Sequence, residues 1–372
     1  MKKIVHLING LDSGGAETVL VRLVMNDNHN EHIVISLKDE GFYGDYLKKN
    51  NIKVEYLGLN RMRNVLLGIG LPKLLYFLRK HQCYAILTWM PHSCLLGGIA
   101  AKILGIKKII WNFRGASENL KDNTRMHRIV LRLCRGLQNF IPKKTVVCAN
   151  YVNDILKDYG FETSNFEVIY NGYDTSLYSR NLKSRKSIRA DFSIPDNLPL
   201  IGMIARWHPQ KNHDLLIESL KIVSSKGLKF KCLLMGDGIE TEKVRSVIKK
   251  SGISDKLILK NETSRIPDIM SSLDIHVLSS KFGEGFPNVL AEAMSCEVPC
   301  IATDIGDSKL IIGNTGWISK NDCLLEMSQS IEEALLAWKN KDEWSKRSLE
   351  ARERVIFNFD LSRMVKNYQK LF

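Results

Sequence analysis

The amino-acid sequence predicts an α/β protein with two doubly wound domains, each built on a parallel sheet. Short apolar runs alternate with helical patterns through the first half of the 372-residue chain, at the spacing that βα units require. A polar and charged segment interrupts this alternation at residues 171–199, and a second α/β series follows it. A chain of this length is comfortable as two domains of about 150–200 residues each.

Apolar and alternating runs predict the strands of both series. Those of the first half are KKIVHLI, HIVISL, VEYLGL, YAILTW, KIIWNF and KTVVCA, and the intervening helices are TVLVRLVM, YGDYLKKN, LPKLLYFLRK and SCLLGGIAAKILG. Those of the second half are LIGMIA, KCLLMG, KLILKN, IHVLSS and PCIATD. We predict a first domain at 1–175, a linker at 176–198, a second domain at 199–355 and a terminal helix at 356–372.

The composition is that of a globular protein, with 44% apolar and 25% charged residues. No apolar run reaches the roughly 18–20 residues that a membrane span requires. The start, MKKIVHLINGL, has a short apolar segment and no small-residue cleavage site, so it indicates a buried strand rather than a signal peptide. The eight cysteines form no C-x-x-C pair and lie mostly in apolar runs, as free buried thiols do. We therefore expect a cytoplasmic protein without a structural zinc site.

The net charge of the chain is +14, and it is distributed unevenly. Residues 1–180 contain 25 Lys and Arg against 15 Asp and Glu, so they carry +10 of the total. A basic half of this kind attracts nucleic acid, anionic lipid or a phosphorylated substrate. Composition leaves the choice among these three open.

Two carboxylates eight residues apart, Glu284 and Glu292, flank a glycine-containing turn and an apolar helical run. A helix that begins near Pro287 would place its unpaired backbone N–H groups, and the positive end of its dipole, beside Glu284. Such a helix start suits a bound phosphate or a ring of sugar hydroxyls. The alternative is an ordinary amphipathic helix with a solvated glutamate.

Two basic residues follow the strand LIGMIA, with Arg206 near its end and Lys211 five residues later, just before the helical pattern HDLLIESLKIV. Two fixed cations at the carboxyl end of a strand, in the crevice of an α/β sheet, suit a diphosphate. The alternative for Arg206 is a surface ion pair.

With these two motifs the chain resembles the family-4 glycosyltransferases. Those enzymes use nucleotide-sugar donors and have the GT-B fold, in which two Rossmann-like domains face each other across a cleft. Besides the basic pair and the two glutamates, the matching pieces are Gly14-Gly15-Ala16-Glu17, Val168-Ile169-Tyr170-Asn171-Gly172-Tyr173-Asp174 and Met235-Gly236-Asp237-Gly238. They cover essentially the whole chain in order. The resemblance also implies that the final helix crosses back onto the first domain from about Phe359.

The resemblance implies roles for individual residues at a donor site. Glu292 would accept hydrogen bonds from the ribose hydroxyls of the nucleotide, and Glu284 would contact the donor sugar. Further donor contacts are implied for Gly14, Gly15 and Gly236, and for the backbone around Phe286, Asn288 and Val289. Glu17 and Asn171 are assigned to the acceptor side.

The charge of the leaving diphosphate requires a neutralising partner. The sequence contains no Asp-x-Asp motif, with which some glycosyltransferases hold a metal ion. Arg206 and Lys211 would therefore supply the positive charge. We expect no metal ion and no cofactor, and we expect a UDP-sugar as donor, with GDP-mannose as the second choice. By resemblance the reaction retains the anomeric configuration through front-face attack, and neither glutamate acts as a nucleophile.

Two positions depart from the family pattern. Arg114 follows the strand KIIWNF, where many relatives have a histidine, which indicates a different pattern of donor hydroxyls or an acceptor that carries a phosphate. The segment Thr303-Asp304-Ile305-Gly306-Asp307-Ser308-Lys309 lacks the glutamate that relatives usually have nearby. Asp307 is then either its substitute or a helix N-cap.

Two basic stretches of the first domain predict a contact with an anionic membrane. In the first, residues 121–144, four arginines share one face of a helix: Arg125, Arg128, Arg132 and Arg135. Four apolar residues lie toward another face: Ile129, Val130, Leu133 and Leu137. The second stretch is Arg61-Met62-Arg63 with Val65, Leu66 and Leu67. The alternative is a solvated face on a core helix. As membrane contacts, both would bring the enzyme to a lipid-linked acceptor at the inner leaflet.

The sequence therefore predicts a retaining, metal-independent glycosyltransferase that moves a hexose-type sugar from a nucleotide donor to a lipid-linked or saccharide acceptor in cell-surface polysaccharide synthesis. The nearest enzymatic alternative is a nucleotide-sugar epimerase with the same fold. An alternative of another class is a non-catalytic, basic lipid- or nucleic-acid-binding protein, which the joint presence of the basic pair and the two glutamates disfavours. A Rossmann dehydrogenase is disfavoured because no strand is followed by G-x-G-x-x-G. We expect no nucleic-acid partner.

Overall fold

The computed structural model describes residues 1–12, 14–59, 61, 63–115 and 124–372. Contacts within the chain divide it into two compact units. The first unit is Met1–Gly172 together with Leu361–Phe372, and the second is Tyr173–Asp360. Each unit is an α/β structure around one parallel sheet, so the predicted class of two doubly wound domains is confirmed.

Within the described residues, seven parallel strands form the sheet of the first unit, in the order β3-β2-β1-β4-β5-β6-β7. Their bounds are β1 Lys2–Ile8, β2 Asn30–Ser36, β3 Lys53–Tyr56, β4 Ala85–Trp89, β5 Lys108–Phe113, β6 Lys144–Val147 and β7 Phe166–Val168. The strand order changes direction between β1 and β4, which are direct neighbours. Ligands of open α/β sheets bind at such a switch point, outside the carboxyl ends of the strands.

Helices connect these strands, as parallel pairing requires. In the described part of the first unit they are α1 Gly15–Asn26, α2 Phe42–Lys49, α3 Arg63–Leu66, α4 Leu71–Lys80, α5 Pro91–Ile103, α6 Arg125–Leu137 and α7 Asn150–Asp158. Strands β1 and β4 are almost entirely buried, which explains why the sequence shows them as continuous apolar runs.

A distant segment completes the core of the first unit. Helix α16, Leu361–Gln369, packs against α1. Five side chains from this segment are buried in the same apolar cluster as the central strands: Leu361, Met364, Val365, Tyr368 and Phe372. Burial of one large apolar side chain stabilises a protein by roughly 1.5–3 kcal/mol, so this segment contributes substantially to the stability of the first unit.

The second unit repeats the architecture with six described strands in the order β10-β9-β8-β11-β12-β13. Their bounds are β8 Leu200–Ile204, β9 Lys231–Met235, β10 Leu257–Lys260, β11 Ile275–Leu278, β12 Cys300–Thr303 and β13 Trp317–Ser319. Here the order changes direction between β8 and β11. The second unit therefore has its own switch point.

The helices of the second unit include the longest of the described chain. Their bounds are α8 Leu182–Asp191, α9 His213–Ser225, α10 Glu242–Lys250, α11 Ile266–Ser272, α12 Asn288–Ser295, α13 Ser308–Ile312, α14 Leu324–Lys339 and α15 Lys341–Phe359, with short 3-10 turns at Pro209–Lys211 and Ser254–Lys256. Side chains start several of them. Asn212 accepts from the Leu215 N–H at the start of α9, and Thr241 accepts from the Val244 N–H at the start of α10.

The segment 176–198, predicted as a linker, contains helix α8, which packs against α11. Arg189 on α8 is buried and donates to Asp274 Oδ2 at 3.0 Å. Arg185, one turn earlier, donates to Asp274 Oδ1 at 2.6 Å. Two of the charges that made this segment look exposed in the sequence, those of Arg185 and Arg189, thus pair with a carboxylate inside the second unit.

His276, on β11, is fully buried, and neither of its ring nitrogens has a hydrogen-bond partner. Burial lowers its pKa to about 3, and the nearby Lys211 lowers it in the same direction. The folded protein therefore holds this imidazole neutral, whereas the unfolded chain protonates it with an ordinary pKa of about 6.5.

We expect the free energy of unfolding to fall as the pH drops below about 6.5, because only the unfolded chain binds a proton at His276. Between about pH 6 and pH 4 this single group should account for about 1.4 kcal/mol per pH unit. The variant His276→Leu should lose that part of the pH dependence, because it removes the titrating group. Urea unfolding of both proteins over this pH range measures the difference. Equal slopes would show that His276 does not contribute.

Candidate active site

The basic pair and Glu284, all predicted for the donor, lie at the switch point of the second sheet. Strands β8 and β11 are neighbours there. Arg206 and Lys211 follow the carboxyl end of β8, and Glu284 lies in the loop that follows β11. The topology therefore places the two cations and this carboxylate at one edge of one sheet, where α/β proteins bind ligands.

Lys211 and Glu284 are in direct contact. Lys211 Nζ donates to Glu284 Oε1 at 2.5 Å, and Ser280 Oγ donates to the same oxygen at 2.7 Å. Glu284 is buried and Lys211 is half-buried. Ser279 Oγ also donates to the Lys211 carbonyl at 3.0 Å, so the loop after β11 holds both the backbone and the side chain of the lysine.

Arg206 is exposed, and none of the described carboxylates pairs with it, which sets aside the surface ion pair as its role. The backbone just before Arg206, at Ala205, packs closely against the residue that follows β9, Gly236. A Cβ on Gly236 would lie 2.4 Å from the Ala205 carbonyl oxygen, and Gly236 has a φ of +151°, so only glycine fits there. Gly236 thus fixes the strand end from which the Arg206 side chain projects.

Helix α12 begins at Asn288, directly after Pro287, as predicted. Glu292 and Val289 are half-buried on this helix, and Phe286 is buried just before it. The Tyr173 hydroxyl donates to Asn288 Oδ1 at 2.6 Å. Pro287 occupies the N-cap position, and its side chain cannot accept a hydrogen bond. It therefore caps none of the first-turn N–H groups of α12.

The segment that lacks the family glutamate packs against the loop of Glu284. Asp307 N donates to the Gly285 carbonyl at 2.9 Å. A Cβ on Gly306 would lie 2.5 Å from the same carbonyl oxygen, and Gly306 has a φ of +61°. Asp307 occupies the N-cap position of α13, although its side chain makes no capping hydrogen bond.

Three residues beside the basic pair were not predicted from the sequence. The indole ring of Trp207 stacks on the imidazole of His213, with ring centroids 4.5 Å apart. Burial lowers the pKa of His213 to about 4. Partial desolvation and then the charges of Arg206 and Lys211 lower the pKa of His208, so all three residues contribute neutral rings to this edge. Their position directly after strand β8 is the signal that would have found them.

At the switch point of the first sheet, side chains tie the ends of two neighbouring strands together. Asn9 follows β1, and its Oδ1 accepts from Ser93 Oγ at 2.8 Å and from the Ser93 N–H at 3.2 Å. Ser93 lies in the first turn of α5, which follows β4. The start of α5 is thereby fixed to the end of β1.

Gly14 and Gly15, predicted to face the donor diphosphate, start helix α1. The carboxylate of Glu17 folds back over this start, because a Cβ on Gly14 would lie only 2.3 Å from Glu17 Oε2. Desolvation by burial raises the pKa of Glu17. A phosphate at this helix start would require the Glu17 side chain to move.

Arg114 and Asn171, both predicted for the acceptor side, are in contact. Arg114 Nη2 donates to Asn171 Oδ1, and Arg114 Nη1 donates to the Tyr368 hydroxyl at 3.2 Å. The same hydroxyl accepts from Asn112 Nδ2 at 3.0 Å. The guanidinium carbon lies 5.5 Å from the ring centroid of Trp89. The structure therefore joins the carboxyl end of β5 to helix α16 through Arg114.

A pair of histidines in the first unit was also not predicted from the sequence. His92, in the first turn of α5, and His127, in the first turn of α6, have ring centroids 5.6 Å apart. His92 is buried, and its Nδ1 has no partner. Burial, and then His127, lowers the pKa of His92 to about 4, so the pair is neutral at physiological pH. A histidine directly after a strand end, next to Pro91, was the signal in the sequence.

Residues 121–123 of the first predicted basic stretch, and Met62 of the second, lie outside the described residues. The predicted arginine face can therefore be examined on helix α6, Arg125–Leu137. Arg125, Arg132 and Arg135 are exposed. The buried stripe consists of Val130, Leu131 and Cys134, and it packs toward α5. Leu133, assigned to the apolar face, is instead 43% exposed among the arginines.

Other classes of site find no support in the described residues. They contain no group of three or more His, Cys, Asp or Glu side chains placed to hold a metal ion. None of the described helices is long and apolar enough to cross a bilayer. All eight cysteines are free, and burial raises the pKa of the Cys94 thiol to about 12, which keeps this thiol protonated.

The chain has the same fold as solved structures of other proteins. Anabaena HepE, crystallised in complex with UDP, matches 100% of this chain and 99% of its own at a TM-score of 0.85 and 19% identity. Such a likeness shows the fold, which is the two-domain GT-B fold of glycosyltransferases. The protein is a glycosyltransferase by its family domains. Residues 13–177 match the model of glycosyltransferase family 4, and residues 184–351 match that of the glycosyl transferases group 1. The chain belongs to the family-4 glycosyltransferases.

Curated relatives extend over most of the chain. EpsF of Bacillus subtilis, named as a glycosyltransferase, is 24% identical over 94% of this chain and 91% of its own length. The UDP-Gal:alpha-D-GlcNAc-diphosphoundecaprenol alpha-1,3-galactosyltransferase of Escherichia coli is 25% identical over 84% of this chain and 82% of its own.

Proposed function

We propose that this glycosyltransferase moves a hexose-type sugar from a nucleotide-sugar donor, a UDP-sugar first of all, to a lipid-linked or saccharide acceptor in cell-surface polysaccharide synthesis. The observation that carries the proposal is the half-buried Lys211, held against Glu284 at the switch point of the second sheet. The exposed Arg206 projects from the same edge. Two cations there suit a donor diphosphate.

The reaction breaks the bond between the anomeric carbon of the donor sugar and a phosphate oxygen. The bond electrons go to the departing diphosphate, which gains charge that Arg206 and Lys211 neutralise. An acceptor hydroxyl attacks the anomeric carbon from the same face, with retention of configuration, and gives its proton to the departing phosphate. Glu284 would contact the donor sugar and Glu292 the ribose. With two protein cations in place, the proposed mechanism requires no metal ion.

The known proteins support a nucleotide donor and a lipid-linked acceptor. HepE was crystallised with UDP, and the E. coli relative is named for a UDP-galactose donor and a diphosphoundecaprenol-linked acceptor. Both match this chain over most of its length. We extend the nucleotide and the lipid-linked class of acceptor to this chain as part of the proposal, without the particular sugars.

A thermal-shift panel with UDP, GDP, ADP and CDP, each with magnesium and with chelator, tests the donor site. We expect UDP to raise the unfolding temperature without magnesium, because a ligand that binds only the native state stabilises it. The variant Glu292→Ala should bind UDP about tenfold more weakly, since it loses a charged acceptor for the ribose hydroxyls. The exposed Glu218→Ala on α9 is the matched control. A protein that none of the four nucleotides stabilises would contradict the proposed donor class.

We also propose that the first unit contacts an anionic membrane surface. Residues 61–153 contain 16 Lys and Arg and only two acidic residues, Glu118 and Asp122, so this span carries a charge equal to the whole net charge of +14. Exposed apolar side chains lie among these basic residues on α4 and α6 and beside them: Leu67, Ile69, Tyr76, Leu133 and Phe140. A basic surface with interspersed apolar side chains is typical of a protein that lies on anionic lipid.

Vesicle flotation tests this contact. We expect binding to phosphatidylglycerol vesicles and little binding to phosphatidylcholine vesicles. The double variant Arg132→Gln/Arg135→Gln should bind about tenfold or more weakly, because each cation near an anionic surface is worth about 1 kcal/mol. The exposed Lys249→Gln in the second unit should bind like the wild type. Equal binding to both lipids would contradict the proposal.

A further inference from the structure

We infer that Arg114 is a binding site for a phosphate group of the acceptor. This inference rests on the proposed function, and it assigns to a single residue the acceptor chemistry that the proposal leaves general. Arg114 lies directly after β5, the strand next to β4 in the first sheet. It therefore occupies the carboxyl edge of the sheet, close to the switch point where α/β proteins bind ligands.

The guanidinium of Arg114 is held in one orientation. Its Nη1 donates to the Tyr368 hydroxyl at 3.2 Å, its Nη2 donates to Asn171 Oδ1, and its plane lies by the buried ring of Trp89. Asn171 and Tyr368 are themselves buried. These contacts use two of the five N–H donors of the guanidinium and leave three.

All of these partners are neutral. Burial raises the pKa of Tyr368, so it is present as the phenol. Among the described residues no carboxylate lies within ion-pair distance of Arg114. Its Nε is buried and has no hydrogen-bond partner. A half-buried cation normally has an anionic partner, because removal of a charge from water is costly unless it is paired.

The described residues supply no such anion, and we assign it to a ligand that binds at Arg114. A fixed guanidinium fork matches the geometry of phosphate, to which it can donate two parallel hydrogen bonds. A sugar hydroxyl could accept a hydrogen bond from the Arg114 guanidinium, but it would leave the positive charge of the guanidinium uncompensated. The geometry therefore favours a phosphate over a donor hydroxyl as the ligand of Arg114.

A phosphate at this site has two sources, the donor and the acceptor. In the proposed function the donor diphosphate has its own cations in the second unit, Arg206 and Lys211. Arg114 belongs to the first unit and donates to Asn171, which is assigned to the acceptor. We therefore assign the phosphate to the acceptor, which would be the phosphate that links its sugar to the lipid.

The test measures pyrophosphate binding to the full chain that is already saturated with UDP. We expect pyrophosphate to raise the unfolding temperature further in the wild type, because the donor site is occupied and a second phosphate site is open. Arg114→Gln should weaken this second binding about tenfold or more while the affinity for UDP stays unchanged. The exposed Lys107→Gln removes the same charge from the first unit and should behave like the wild type.

Two further variants separate binding from folding. Arg114→Lys keeps the charge but loses the fork, so it should recover only part of the pyrophosphate affinity. Tyr368→Phe removes the hydroxyl that positions Arg114, so it should weaken pyrophosphate binding several-fold and leave UDP binding intact. Both effects are specific to the second ligand, which a merely destabilised protein would not show.

Three outcomes overturn the inference. In the first, UDP-saturated wild-type protein binds no pyrophosphate. In the second, Arg114→Gln binds it as well as the wild type does. In the third, Arg114→Gln weakens UDP binding and the wild type has no second phosphate site, which would show that Arg114 binds the phosphate of the donor. If UDP itself does not bind, the proposed donor fails instead. Pyrophosphate binding lost in Arg114→Gln and kept in Lys211→Ala would still support the assignment of Arg114.

Discussion

Replacement of Lys211 by alanine should lower kcat by about 100- to 1,000-fold, the effect of removing one preorganised group that stabilises developing charge. The reason lies in the position of Lys211 at the switch point of the second sheet, where Glu284 and the carbonyl contact of Ser279 hold it. UDP release from the donor in the presence of acceptor measures the loss. Lys211→Arg should retain part of the activity, because it keeps the charge.

Lys221→Ala is the matched control for this experiment. Lys221 is a lysine of α9 whose side chain is 40% exposed and pairs with the exposed Glu218. It should have wild-type activity, since exposed pairs contribute little. Removal of Lys211 leaves the buried Glu284 carboxylate with the hydrogen bond from Ser280 Oγ but without its cation. The double variant Lys211→Ala/Glu284→Gln therefore separates loss of charge neutralisation from loss of stability. Wild-type turnover in a folded Lys211→Ala protein would refute the diphosphate role of the lysine.

Replacement of Asp274 by alanine should lower the free energy of unfolding by about 3–5 kcal/mol, the usual cost of breaking a buried ion pair from one side. Asp274 accepts from Arg189 at 3.0 Å, from Arg185 at 2.6 Å and from the Leu200 N–H at 2.8 Å. The Arg189 side chain is only 1% exposed, so the variant leaves a buried cation without its main partner. Urea unfolding measures the change.

The chain offers a control on the same arginine. Asp196 Oδ1 lies 3.7 Å from Arg189 Nε, but the Asp196 side chain is 81% exposed. Because solvent screens this pair, Asp196→Ala should change the stability by about 0–1 kcal/mol. Equal losses in the two variants would show that burial of Asp274 is not the cause of the larger effect.

The fold was predictable because most strands and helices have strong local patterns. Strands such as β1 and β4 are buried on both sides, which gives continuous apolar runs in the sequence. Strands β7 and β13 were missed because each has three residues, too few to show a period. Helix α8 was missed because its many charges, among them the buried Arg189, give it the composition of an exposed segment.

The candidate site was predictable residue by residue but not as a set of contacts. Lys211 and Glu284 were both singled out, yet nothing local shows that these two residues, 73 positions apart, are in contact. Their contact follows from the neighbouring positions of β8 and β11, which the sheet order alone decides. The contact of Arg114 with Tyr368, 254 positions away, depends in the same way on the return of α16 to the first unit.

The return of residues 361–372 to the first unit has a consequence for synthesis. A ribosome makes Met1–Gly172 first, but five core side chains of that unit belong to a segment translated only after the whole second unit. The unit that begins the chain is therefore the one completed last, contrary to the usual N-to-C order of domain folding. A nascent first unit would expose the apolar side chains that this segment covers until the whole second unit, Tyr173–Asp360, has been translated. This is the interval in which a chaperone would be most needed.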